Sequence, residues 1–210
     1  MPAEWPPEGY SRPKRYEIDD RYTILLTVAL LPPVLVITHP ALEGVVPPFL
    51  SFIRGVGQTT GMVDYPILYL VTALITLLGW ITLSGVIIVA IHEAIHYVVA
   101  LRNGSDPEFI WTDRLGLKSP AIMPYTTDLS RGENIIGLIA PSVLLNTLTG
   151  IVMLVSGGIV SGTAATMFAI NSVPSSSDIY NSIKIARMPR GTKYANFKKG
   201  DEIRSEYAVP

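Results

Sequence analysis

The five residues His92-Glu93-Ala94-Ile95-His96 set two imidazoles four positions apart, with a carboxylate beside the first. On a helix, positions i and i+4 share a face, so the two rings can hold one metal ion while Glu93 reaches a water bound to it. Such a pair suits zinc, and a hydrolytic zinc site needs a third protein donor while leaving one position open. The chain has no cysteine, which removes disulfides, thiolate ligands and cysteine nucleophiles and leaves histidine and carboxylate as donors. The one other histidine, His39, lies beside Pro40 at the end of the first apolar run. Besides Glu93, the acidic residue set deep in an apolar stretch is Asp178, which closes Asn171-Ser172-Val173-Pro174-Ser175-Ser176-Ser177-Asp178. Charge in hydrocarbon is costly, so its presence there is a functional signal. Asp178 is therefore the economical third ligand to His92 and His96, with Glu93 as general base.

The elements that position these residues are membrane helices. Of 210 residues, 49% are hydrophobic and 16% charged, a balance that departs from soluble averages toward an integral membrane protein. The formal charge of −1 and the lack of a basic stripe interleaved with aromatics argue against nucleic acid as a partner. The expected fold class is an all-α membrane protein of about four transmembrane helices, with a small β-hairpin between the second and third.

Residues 1–21, rich in proline and charge, read as a flexible or surface-lying N-terminal tail without the pattern of a signal peptide. Residues 22–186 form the membrane domain. Its first span is Tyr22 to Thr38, kinked at Pro32-Pro33. A connection punctuated by Pro40, Gly44, Pro47, Pro48, Gly55, Gly57 and Gly61 follows. From Pro66 to Leu101 the chain is apolar almost without interruption. As one helix that stretch would be about 54 Å long against a hydrocarbon core of about 30 Å, so it is tilted, projects from the bilayer, or breaks near Gly79 or Gly85. Arg102-Asn103-Gly104 supplies a cation and a left-handed cap at its end. Phe109 to Thr112 and Ala121 to Met123, separated by Asp113-Arg114-Leu115-Gly116, form the hairpin. The third and fourth spans are Ile135 to Val160 and Gly162 to about Ile185, joined at Ser156-Gly157-Gly158, and residues 187–210 form a basic C-terminal tail. Tyr22, Tyr65, Tyr97 and Trp111 sit near span ends, as an interfacial belt requires.

Lysine and arginine then orient the spans. They crowd into the N-terminal tail, the loop after the second span and the C-terminal tail, whereas the first connection has Arg54 alone and the third has none. Alternate basic loops fit four spans in the cell membrane with both termini cytoplasmic, which puts His92 and His96 near the cytoplasmic face and His39 at the opposite one.

Taken together, His92, Glu93 and His96 on one span and Asn171, Pro174 and Asp178 on a later one resemble the site-2 protease type of intramembrane metalloprotease, whose motifs are H-E-x-x-H and N-x-x-P-x-x-x-D-G. The size, the span count, the Ser177-Asp178-Ile179 end of the second motif and the basic tail look still more like the "Putative zincin peptidase" family of short prokaryotic membrane proteins. The resemblance covers most of residues 66–200. It implies that His92, His96 and Asp178 bind Zn2+, that Glu93 activates water, and that Asn171 helps to position the substrate carbonyl or water. The implied substrate is a membrane protein or peptide, which must unwind locally to be cut; a hairpin over residues 108–127 offers an edge to which it adds as a strand. The Gly137 to Pro141 start of the third span is similar to the small-residue start of that helix in site-2 proteases. Isoleucine replaces the usual glycine after Asp178, and no PDZ-type domain fits in the chain. Two other readings remain open: a non-catalytic membrane adaptor with a structural metal, and a proton- or metal-conducting protein that uses His92, Glu93, His96 and Asp178 as relays.

Overall fold

The computed structural model describes residues 5–17, 19–114, 117–199 and 202–210. In chain order these form β1 (Lys14–Arg15), α1 (Asp20–Thr60), a 3-10 turn (Met62–Asp64), α2 (Pro66–Arg102), β2 (Asp106–Arg114), β3 (Leu117–Ser130), α3 (Arg131–Val155), α4 (Gly158–Ala186), β4 (Lys193–Lys199) and β5 (Glu202–Ala208). The protein is mostly helical. Helices α1, α2 and α3 are each long and apolar enough to cross a membrane. Helix α4 has the length, but its second half carries Asn171, the three serines at 175–177, Asp178, Asn181 and Ser182, which lower its hydropathy.

One expectation about the helices is corrected, and one left open is resolved. The first helix does not end at Thr38: α1 continues to Thr60, through Pro32, Pro33, Pro40, Pro47 and Pro48, so the punctuated connection is helix. Each proline forfeits one backbone bond, but leaving the helix in apolar surroundings would strand many more polar groups. Helix α2 does not break at Gly79 or Gly85; it runs unbroken from Pro66 to Arg102, about 56 Å at the usual rise. Pro174 likewise does not interrupt α4. The α3–α4 turn falls where Ser156, Gly157 and Gly158 predict it, with Gly158 in the left-handed region at φ 58°. Helix α3 starts earlier than its apolar run because Ser130 and Glu133 form a capping box. The Ser130 hydroxyl accepts from the Glu133 N–H at 3.3 Å, and the Glu133 carboxylate accepts from the Ser130 N–H at 2.9 Å.

The all-α expectation is corrected by a five-stranded antiparallel sheet in the order β1-β5-β4-β3-β2. The predicted hairpin is present as β2 and β3, in register from Asp106↔Tyr125 to Arg114↔Leu117, and it is the end of this larger sheet. Both terminal segments contribute to it. The C-terminal one supplies β4 and β5, paired from Lys193↔Ala208 to Lys199↔Glu202. The N-terminal one supplies β1 against β5; Trp5 Nε1 donates to Glu206 Oε2 at 3.1 Å, and the Ser11 N–H donates to the Val209 carbonyl at 2.8 Å.

The chain divides into two units. One comprises residues 1–29, 91–143 and 174–210 and holds the whole sheet with segments of all four helices. Its core is Leu129, Ile185 and Tyr194, packed by Tyr16, Ile135, Leu138, Met188 and Tyr207. The other comprises residues 30–90 and 144–173 and is helical. Small residues let its helices approach: Ala164 and Ala165 pack with Met153 against Ala41 and Leu42, and a Cβ added at Gly162 would stand 2.6 Å from Val45 Cβ. Many of its outward side chains are apolar, among them Val36, Ile67 and Leu154, each more than 70% exposed.

Candidate metal centre

His92 and His96 project from one face of α2, their ring centroids 4.9 Å apart, and Asp178 approaches them from α4. His92 Nε2 lies 3.1 Å from Asp178 Oδ2, His96 Nε2 lies 3.5 Å from the same oxygen, and the two Nε2 atoms are 3.2 Å apart. His92 is 1% exposed and Asp178 7%. All three residues belong to the unit that contains the sheet.

The protons on these groups show that the cluster suits a cation. His96 Nδ1 lies 2.8 Å from the Gly137 carbonyl oxygen, which can only accept, so Nδ1 carries the proton and a neutral ring presents a lone pair at Nε2. That lone pair faces another imidazole nitrogen and a carboxylate oxygen. With both rings neutral, at most one hydrogen, on His92 Nε2, lies between these three converging electron-donating atoms. A metal ion resolves that arrangement. The three spacings also match the edge of a tetrahedron about a zinc ion, about 3.3 Å for ligand bonds near 2.0 Å. The bond from His96 to a backbone carbonyl is the support that metal-ligating histidines characteristically have, because it fixes both tautomer and ring orientation.

Glu93, next to His92 on α2, turns to the sheet. Its Oε2 accepts a hydrogen bond from the Ile122 N–H of β3 at 2.9 Å. Residues of β3 alternate in direction, and the Pro124 carbonyl on the same side accepts from Asn196 Nδ2 of β4 at 3.1 Å, so positions 120, 122 and 124 direct their backbone groups away from β2. Two of these three are prolines, so Ile122 alone among them has an N–H.

The structure thus brings His92, His96 and Asp178 together as a group of candidate ligands. Asn171 belongs to the other unit, is fully buried, and donates from Nδ2 to Asn146 Oδ1 of α3 at 2.8 Å. His39 is exposed and pairs with Glu43 one turn along α1, its Nε2 3.5 Å from Oε1. The serines before Asp178 serve helix packing, as Thr27 Oγ1 and Ser176 Oγ at 2.5 Å illustrate. Sequence reasoning missed the parts played by Gly137 and Ile122. Both act through backbone atoms, which leave no side-chain signature.

No curated protein and no solved structure matches the chain. The model of the family described as "Putative zincin peptidase" matches residues 85–193, just over half of the chain, and the chain belongs to that family.

Proposed function

We propose that the protein is a multi-pass membrane metallopeptidase that hydrolyses peptide bonds of membrane proteins or peptides, with zinc held by His92, His96 and Asp178 and Glu93 as the base. The observation that carries this reading is the convergence of His92 Nε2, His96 Nε2 and Asp178 Oδ2, with the His96 lone pair set by Gly137. Membership in a zincin-type family supports it. Bound zinc would supply an acidified water and polarise the scissile carbonyl. Glu93 would accept a proton from the attacking water and give it to the leaving amine. Burial of His92 and Asp178 limits bulk water at their shared face. In this reading α4 is a fourth span whose polar half faces the centre, and both termini are cytoplasmic. Asn171, bonded to Asn146, acts as a substrate-positioning group once that bond is exchanged.

The test is to purify wild type, Glu93→Gln and Asp178→Asn in detergent, count zinc per chain, and incubate each with a panel of membrane-spanning peptides. One zinc per wild-type chain is expected. Glu93→Gln is expected to retain it and to lose cleavage by about 10²- to 10⁴-fold. Zinc without cleavage of any peptide would favour the metal-binding adaptor; a wild type without zinc would remove the site.

A further inference from the structure

We infer that the backbone N–H of Ile122 is a positioning group for Glu93, fixing one carboxylate oxygen so that the base is aimed before substrate arrives. This rests on the proposed role of Glu93. An unrestrained glutamate on a helix samples several rotamers, and ordering it at each turnover is a cost that a preformed bond removes. The 2.9 Å bond comes from a strand that is itself held in register by nine cross-strand pairs with β2, so the donor is rigid. The surrounding sequence keeps the donor for this purpose. Pro120 and Pro124 flank Ile122 at the two neighbouring positions on the same strand side, so this stretch of edge offers an incoming strand a single donor, already engaged. The pattern Pro120-Ala121-Ile122-Met123-Pro124 therefore does two things: it discourages strand addition on the side away from β2, and it leaves the one amide hydrogen of that side to Glu93. Substrate pairing along this part of residues 108–127 is disfavoured accordingly.

The experiment uses the full chain loaded with zinc in detergent and reads binding as well as turnover. The probes are acetohydroxamate, whose hydroxyl proton is shared with a neighbouring carboxylate when its oxygens bind a metal, and azide, which binds a metal with no proton to share. Ile122→Ala retains the N–H; Ile122→Pro removes it. An ester in place of the amide at residue 122 removes it with the least disturbance, because that side of β3 faces away from the β2 ladder. Ile122→Ala is expected to match wild type. The ester, Ile122→Pro and Glu93→Gln are expected to bind acetohydroxamate about tenfold more weakly, with zinc content and azide affinity unchanged. An ester variant with wild-type hydroxamate affinity, beside a Glu93→Gln that loses it, overturns the inference and leaves the proposed function standing. Loss of zinc or azide affinity in step with hydroxamate affinity marks Ile122 as a structural anchor and also overturns it. Hydroxamate binding that ignores Glu93→Gln, or a wild type without zinc, removes the proposed function and this inference together.

Discussion

At the scale of the residue, the site divides into groups that are named by their side chains and groups that act through the backbone. His92, Glu93 and His96 are legible from spacing alone, because helical geometry gives i and i+4 a common face. Asp178 is legible because a carboxylate in an apolar run has little other reason to be there. Gly137 and Ile122 are not legible: a carbonyl and an amide hydrogen are common to almost every residue, and which one meets a side chain depends on how the chain folds back. Two substitutions separate these classes. Asp178→Asn removes an anionic donor and is expected to weaken zinc binding about a hundredfold, roughly one ligand's share of a typical site. Gly137→Ala preserves the carbonyl, and a Cβ there would meet nothing within 4 Å, so zinc affinity is expected to stay within about twofold of wild type. Competitive titration with a chromophoric chelator measures both. A large loss in Gly137→Ala would show that the glycine itself, and not its carbonyl, is what His96 requires.

At the scale of the element, composition announced helices but misjudged their limits. Five prolines and several glycines between residues 32 and 61 resemble a broken connection, yet α1 passes through them. Local propensity loses here to the cost of unpaired backbone in apolar surroundings. The glycines differ in what they do, and only packing tells them apart. At Gly162 an added Cβ would collide with Val45, whereas at Gly79 it would meet nothing within 4 Å. Gly162→Ala is expected to destabilise the protein by about 1–3 kcal/mol through overpacking. Gly79→Ala is expected to be neutral or to stabilise by about 0.5–1 kcal/mol, since it only restricts the unfolded chain. Unfolding of the purified variants by graded additions of denaturing detergent would compare them; equal stability would contradict the close approach of α1 and α4 at residue 162. The Ser130–Glu133 capping box shows the opposite case, a helix start written in four residues.

At the scale of the whole molecule, the two termini and the hairpin build one sheet around a cluster of tyrosines. Tyr194 is 3% exposed, and burial first of all, then the neighbouring Tyr207, pushes its phenol up to about 12 against the opposing pull of Arg131. Burial also raises Tyr16, which lies beside Tyr194. A phenol whose folded pKa exceeds its unfolded value near 10 contributes stability that is complete below pH about 10 and is lost as pH climbs toward the folded value. Thermal stability is therefore expected to fall between pH about 10 and 12. Tyr194→Phe, with no phenol to ionise, should lose less over that interval. Melting curves in that range, read beside phenolate absorbance, check the sign. A stability that rises there would contradict it.

The sequence by itself determined the candidates: the histidine pair of zinc-site spacing, Glu93 beside it, the Asp178 carboxylate in an apolar run and the apolar helices that carry them all follow from residue type and periodicity. Tertiary structure decided the rest. Strand partners far apart in the chain cannot be read from local pattern, because pairing of residues 14–15 with 206–207 and of 126–130 with 193–196 depends on where intervening helices return the backbone. The same return sets the Gly137 carbonyl against His96 and the Ile122 amide against Glu93, and so fixes which nitrogen of His96 is free to bind a metal.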